Sequence, residues 1–194
     1  MLAAQGVPAD PDDLRLRPPG TPSRFPGAVV VHPGAAYGSK RWPPERFAQV
    51  AAELARRGEQ VVVTGGPSEG RLVDEVVTRA GNGVRAAGPT TLPQLAALIA
   101  EASLVICGDT GTAHLSYAFG TPSVVLFGPA PAEHWGPPEG APHVVLTAAD
   151  LRRGEAFSDD PDPALLGVGV DDVLSCLPPG RRGTRMSGGD GHAG

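Results

Sequence analysis

The chain has 194 residues, 41% hydrophobic, 19% charged and 5% aromatic, with a net charge of −5 and a pI near 5.5. That length suits one domain with a self-sufficient core, and the acidic balance argues against a polyanion-binding surface, so nucleic acid is not an expected partner. No apolar run approaches the ~18–20 residues that span a bilayer, no basic-then-apolar leader opens the chain, and Cys107 and Cys176 lack metal-ligand spacing, so they read as reduced thiols of a cytosolic protein and no metal is expected.

Residues 1–27 (PADPDD, RPPGTPSRFPG) are rich in Pro, Asp and Arg and read as a connector. A regular pattern starts at Ala28. AVVVHPG is a strand running into a turn, and PPERFAQVAAELARRG is an amphipathic helix opened by Pro43 and Pro44 and closed at Gly58. QVVVTGG is a second strand, with a helix from Glu69 to Ala80 behind it. Val84–Ala87 is a short third strand, and Thr91 caps the helix LPQLAALIAEA, whose Leu92, Leu95 and Leu98 are expected in the core. LVICGD is the fourth strand, followed by the helix TAHLSYAFG. SVVLFGP is the fifth strand and HVVLT the sixth. AFSDDPDPALLGVGVDDVLSCL reads as an irregular loop and a last helix from about Val170. Residues 178–194 carry no periodicity and read as a disordered tail.

Strands alternating with helices at this spacing predict an α/β fold, a Rossmann-like parallel sheet with helices on both faces, over residues 28–177. The near-continuous Val/Ile/Leu runs suit strands buried on both sides. Ligands of such sheets sit at the carboxyl ends of the strands. The unusual turns HPGAAYGSKRW, TGGPSEG, GDTGTAH and FGPAPAEHWGP all fall there, which makes them one candidate site.

GDTGTAH carries the strongest signal. A turn between strand and helix presents backbone N–H groups to an anion, and here it also holds Asp109, Thr110, Gly111 and His114. With the helix starting at Thr110, His114 lies one turn on, on the same side as the turn. Each charge-assisted hydrogen bond to phosphate is worth roughly 1.5–3 kcal/mol and the helix dipole ~0.3–1, so several donors decide affinity. Taken singly, Asp109 also reads as an N-cap and His114 as a packed histidine. In the first loop Gly34 and Gly38 precede Lys40, a mobile cation near a helix start or simply a solvated lysine; the Walker spacing is absent. Glu69 stands where a carboxylate can accept a ribose diol, or where a helix favours an acid. No G-x-G-x-x-G follows a strand, which disfavours a nicotinamide dehydrogenase. Trp135 and its neighbouring prolines read equally as a ligand wall and as a packed rigid loop. Trp42 reads as a core plug, and His32, Tyr37, Tyr117 and His143 as structural.

Together HPGAAYGSKRWPPERF, TGGPSEG, GDTGTAHLSYAFGTPSVVLFGP and HWGP resemble glycosyltransferase family 9, the ADP-heptose:lipopolysaccharide heptosyltransferases, over about residues 28–147. The resemblance implies the C-terminal, donor-binding domain of a two-domain GT-B-type enzyme, with residues 1–27 the linker and remnant of an N-terminal domain. It implies a nucleotide-diphosphate sugar as donor, ADP-heptose in this family, and a glycan or lipid-linked acceptor. The implied location is the cytoplasm, peripheral at the inner face of the membrane. Lys40 would then contact the donor diphosphate and Glu69 the ribose. Thr110, Gly111 and His114 would hold phosphate, and Asp109 the donor sugar or the turn. The catalytic base belongs to the family's N-terminal domain, so none is expected here. The alternative is a catalytically silent nucleotide-sugar-binding fragment or subunit that works with a separate acceptor domain. A sugar-nucleotide epimerase on a similar two-domain plan needs the same absent half.

Overall fold

The computed structural model describes Gly6, residues 13–140 and residues 142–177; the tail expected over 178–194 and most of 1–12 lie outside the described residues. Six parallel strands form one sheet. They are β1 (Val29–His32), β2 (Val61–Val63), β3 (Val84–Ala86), β4 (Leu104–Gly108), β5 (Ser123–Leu126) and β6 (His143–Leu146), in the order β3-β2-β1-β4-β5-β6. The helices α1 (Pro44–Arg56), α2 (Gly70–Ala80), α3 (Leu92–Ala100) and α4 (Gly111–Phe119) connect the first five strands. The short helices α5 (Ala132–Trp135), α6 (Pro163–Leu166) and α7 (Val170–Ser175) follow later in the chain.

Alternation along the strands splits the core in two. Val29, Val31, Val61, Val63, Ile106 and Leu126 pack with Phe47, Val50 and Leu54 of α1, Val73 and Val76 of α2, and Val173 of α7. Val30, Val62, Val105, Cys107 and Val125 pack on the other face, against Leu98 and Ile99 of α3 and Ala113 and Tyr117 of α4. Burial on both faces is why these strands consist almost wholly of Val, Ile and Leu. Burial also pushes the Cys107 thiol well above its ordinary range, which leaves it protonated.

Helix punctuation follows the local chemistry. Pro44 opens α1, where its missing N–H has no partner to lose. Thr91 and Gln94 form a reciprocal capping box on α3, and Gly120, with φ of 66°, closes α4. Trp42 is the core plug, 1% exposed, with Phe47 edge-on at 5.0 Å and its Nε1 donating to the Val168 carbonyl at 2.9 Å. Leu92 departs from expectation: it is 71% exposed, while Leu98 is buried and Leu95 packs at the core's edge. It is the first residue of a nine-residue helix whose buried residues, Ala97, Leu98 and Ile99, all lie in its second half. Residues 13–27 form no helix or strand. Leu16 N–H donates to Ala118 O and Gly27 N–H to Glu101 O, which lays the segment against the ends of α4 and α3; Leu14 and Leu16 stay exposed.

Candidate functional site

Strand order reverses between β1 and β4, whose neighbours run outward on either side, so their connections diverge and leave a crevice at the carboxyl ends. The loop after β1 and the turn after β4 meet across it. A 3-10 turn over Gly38–Lys40 delivers Lys40, whose Nζ donates to Asp109 Oδ2 at 2.7 Å. The Asp109 side chain is 6% exposed and that of Lys40 25%, so the carboxylate is buried while the lysine side chain stays partly open to solvent. The two backbones also touch, since a Cβ on Gly108 would lie 3.0 Å from the Lys40 carbonyl. Asp109 N–H continues the ladder to Leu126 O at 3.1 Å, and this fixes where the carboxylate starts.

The helix begins at Gly111, one residue after the Thr110 start that would set His114 beside the turn and one before the Thr112 that opens TAHLSYAFG. Thr110 is the N-cap of α4 but its hydroxyl caps nothing; Oγ1 is buried without a hydrogen-bond partner among the described residues. The amides of Gly111 and Thr112, like those of any first turn, have no intrahelical acceptor. These first-turn amides follow directly on Asp109, which holds the Lys40 ammonium, and a helix start of this kind favours an anion. His114 is one turn on and exposed, its ring edge-on to Tyr117 at 5.6 Å. Tyr117 in turn stands edge-on to His143 at 4.9 Å, and His143 Nδ1 shares a hydrogen bond with Ser123 Oγ at 2.9 Å. Burial, with a smaller contribution from the charge of Asp109, holds the Tyr117 phenol well above its usual pKa.

Glu69 joins from the β2 loop. Its Oε2 accepts from Gly66 N–H at 2.6 Å. The carboxylate lies flat against Gly34, where any Cβ would overlap it. The smallness of Gly34 therefore serves this contact. Beneath lies His32, 8% exposed, its Nδ1 without a partner among the described residues. Burial pushes the pKa of His32 down, opposed in part by the Glu69 carboxylate and the Thr64 backbone. The β1 loop thus touches both the β2 loop, through Gly34 and Glu69, and the β4 turn, through Lys40 and Asp109.

At the carboxyl ends of β2 and β3 lies a cavity of about 290 Å³ lined by Thr64, Gly65, Gly66, Ala86, Pro89 and Thr90, among others. The sequence flagged its glycines but not Pro89 or Thr90, which follow β3 in an ordinary-looking turn. Trp135 is 58% exposed on α5, past β5, and so is neither packed nor part of that cavity. Among the described residues no group of His, Cys, Asp and Glu gathers as metal ligands would, and no helix is long and apolar enough to cross a membrane.

A parallel sheet with helices on both faces, a crevice at its switch point and a cavity alongside defines a Rossmann-like α/β domain, an architecture whose ligand sites lie at such crevices. The chain belongs to glycosyltransferase family 9, the heptosyltransferases, a model of which matches residues 19–155. It is 39% identical over 115 residues to lipopolysaccharide heptosyltransferase 3 of Escherichia coli K12, an alignment covering 56% of this chain and 33% of that protein. With lipopolysaccharide heptosyltransferase 2 of Salmonella typhimurium LT2 it shares 34% over 104 residues, 50% of this chain and 30% of that one. Among solved structures, the ADP-heptose lipopolysaccharide heptosyltransferase II of E. coli superposes with a TM-score of 0.67 at 26% identity, covering 80% of this chain and 46% of that one. The family 9 glycosyltransferase of Veillonella parvula superposes with a TM-score of 0.64 at 28% identity, covering 77% and 44%. The chain therefore spans about a third of the length of the curated relatives it matches, and under half of these solved chains.

Proposed function

We propose that this chain is the donor-binding half of a heptosyltransferase-like glycosyltransferase, holding a nucleotide-diphosphate sugar while another domain presents the acceptor and its catalytic base. The observation that carries the reading is the Lys40–Asp109 contact across the β1/β4 crevice, beside the unpartnered Thr110 hydroxyl and the first amides of α4. In sugar transfer the acceptor oxygen attacks the anomeric carbon and loses its proton to the base. The bond from that carbon to the diphosphate breaks, and the diphosphate leaves with the electron pair. This chain's part is to stabilise the leaving group's growing charge, through Lys40, the amides of Gly111 and Thr112, the Thr110 hydroxyl and His114. Asp109 orients Lys40 and offers its remaining lone pairs to a sugar hydroxyl. Glu69, held by Gly66 N–H, faces the ribose, and the neighbouring cavity takes the base.

The names of the relatives favour ADP-heptose as donor and a lipopolysaccharide precursor, a lipid-linked glycan, as acceptor. On this reading the protein works in the cytoplasm, at the inner face of the membrane. Because the chain covers about a third of those relatives, a second reading is binding without turnover, as a nucleotide-sugar-binding subunit completed by a separate acceptor domain. A thermal-shift panel of ADP, ADP-heptose, UDP- and GDP-sugars tests the first part, since a ligand bound only by the native state at 100 times its Kd adds ~2.7 kcal/mol of stability. ADP and ADP-heptose are expected to raise the melting temperature, and a flat response to every nucleotide overturns the proposal. Release of ADP from ADP-heptose by the chain alone separates a catalytic domain from a silent one.

A further inference from the structure

Lys40 is a flexible side chain, yet the backbone that leads into it is tied to a distant segment. Ser39, just before it, is fully buried and makes three hydrogen bonds to one distant segment. Its N–H donates to Ser158 O at 2.9 Å, its Oγ to Ala156 O at 2.7 Å, and its carbonyl accepts from Asp162 N–H at 3.1 Å. Gly38 lies directly under the Asp159 carbonyl, leaving no space for a Cβ. Tyr37 stands edge-on to Phe157 at 5.0 Å, a pair of exposed rings closing the outer side. Every residue from 37 to 39 therefore touches the segment 156–162.

That segment has its own fastening. Asp162 is fully buried. Its Oδ1 accepts from Ala164 N–H at 2.9 Å as the N-cap of α6, and its Oδ2 from Gly154 N–H at 3.1 Å and Arg153 N–H at 3.2 Å. One carboxylate thus ties the entry of the loop, at 153–154, to its exit, at 162–164. Hydrogen bonds to a charged acceptor are the stronger kind, and a site built on a held backbone gives up less freedom when ligand binds. Most of this loop lies beyond residue 155, where the family match ends.

We propose that residues 154–162, fastened by Asp162, are a clamp on the Gly38–Lys40 turn, and that Asp162 is thereby a positioning residue for diphosphate binding. The inference rests on the donor-binding reading and adds how the lysine is kept in place. It is tested by titrating ADP calorimetrically into the full chain carrying Asp162→Asn, Ser39→Ala, Lys40→Met, and the Asp162→Asn/Lys40→Met pair, with melting temperatures alongside. Asn keeps one acceptor oxygen but turns an amide donor toward backbone N–H groups.

Asp162→Asn and Ser39→Ala are each expected to weaken ADP about tenfold, a typical coupling within one hydrogen-bond network. In the Lys40→Met background Asp162→Asn should cost no further affinity, because the group it positions is gone. Unchanged affinity in Asp162→Asn, or an equal loss with and without the lysine, overturns the inference and leaves the clamp a structural tie. If Asp162→Asn does not fold, Ser39→Ala and its pairing with Lys40→Met decide the matter by the same criterion. Lys40→Met binding ADP like the unaltered chain removes the donor-binding role of Lys40 and this inference with it, an outcome read from the single variant alone.

Discussion

Lys40→Ala separates what the lysine does for the fold from what it does for the ligand. The substitution removes an ammonium 2.7 Å from the Asp109 carboxylate, whose side chain is only 6% exposed. A buried carboxylate stripped of its partner costs about 3–5 kcal/mol. Lys40 is 25% exposed, so water enters where the ammonium was, and we expect a smaller loss, about 2 kcal/mol. For binding, the missing charge-assisted hydrogen bond is worth roughly 1.5–3 kcal/mol, which is about 10- to 150-fold in Kd. The bared Asp109 also repels a diphosphate, which pushes the effect toward the upper end. Pairing Lys40→Met with Asp109→Asn removes both charges, and should recover stability to within about 1 kcal/mol while leaving ADP weak. Titration calorimetry and thermal melts of the three chains decide this. ADP bound by Lys40→Ala within about twofold of the unaltered chain, less than 0.5 kcal/mol, would refute the reasoning, as would recovery of ADP affinity in the double variant.

Gly34→Ala places a methyl on the Glu69 carboxylate and forces it off Gly66 N–H. ADP should weaken about tenfold, the loss of one charge-assisted contact, while inorganic pyrophosphate binds as before; equal losses for both ligands would show that Gly34 does not act through the ribose-facing acid. The pH dependence of stability follows from His32, whose pKa in the fold is pushed below 6.5 by burial. Below pH 6.5 the unfolded chain then binds more protons than the folded one, so stability is complete above that value and falls as pH drops through the folded pKa, by up to ~1.4 kcal/mol per pH unit. His143, also pushed down by burial, acts in the same direction. Melting temperature should fall between pH 7 and about pH 5 and fall less in His32→Asn; an identical profile in that variant counts against His32 as the source.

Much of the fold is written in short-range patterns. Short apolar runs of three to five residues are the six strands, the first five ended at or within three residues by Gly or Pro, and Thr91 with Gln94 marks the start of α3 as their side chains dictate. What escapes such patterns is anything shorter than a helical period or decided by packing. α5 and α6 have four residues each, too few for a repeat to show, although the Asp162-Pro163 pair was an available N-cap signal. Leu92, Leu95 and Leu98 share a spacing, yet LPQLAALIA is apolar nearly all round and has no unique face. The sheet selected the side bearing Leu98 and Ile99 and left Leu92 in water.

The candidate site divides along the same line. Which residues stand in carboxyl-end turns is local information, and Lys40, Glu69, Asp109, Thr110, Gly111 and His114 all stand in or within a turn of them. Which turns face one another depends on strand order, and no local pattern records that β4 inserts beside β1 rather than beside β3. That adjacency alone puts Lys40 against Asp109 across 69 residues of sequence. The β1–β2 pairing likewise changes the meaning of Gly34, whose lack of a side chain makes room for the Glu69 carboxylate of the β2 loop. The Ser39–Asp162 contact is longer still in sequence, and residues 156–162 look like an unstructured linker until the Asp162 carboxylate is seen gathering three amides. A lysine needs only its own position to be a cation. To be a cation held in one place, it needs a fold that returns to it from more than a hundred residues away, as the Ser39–Ala156 contact, 117 positions apart in sequence, shows.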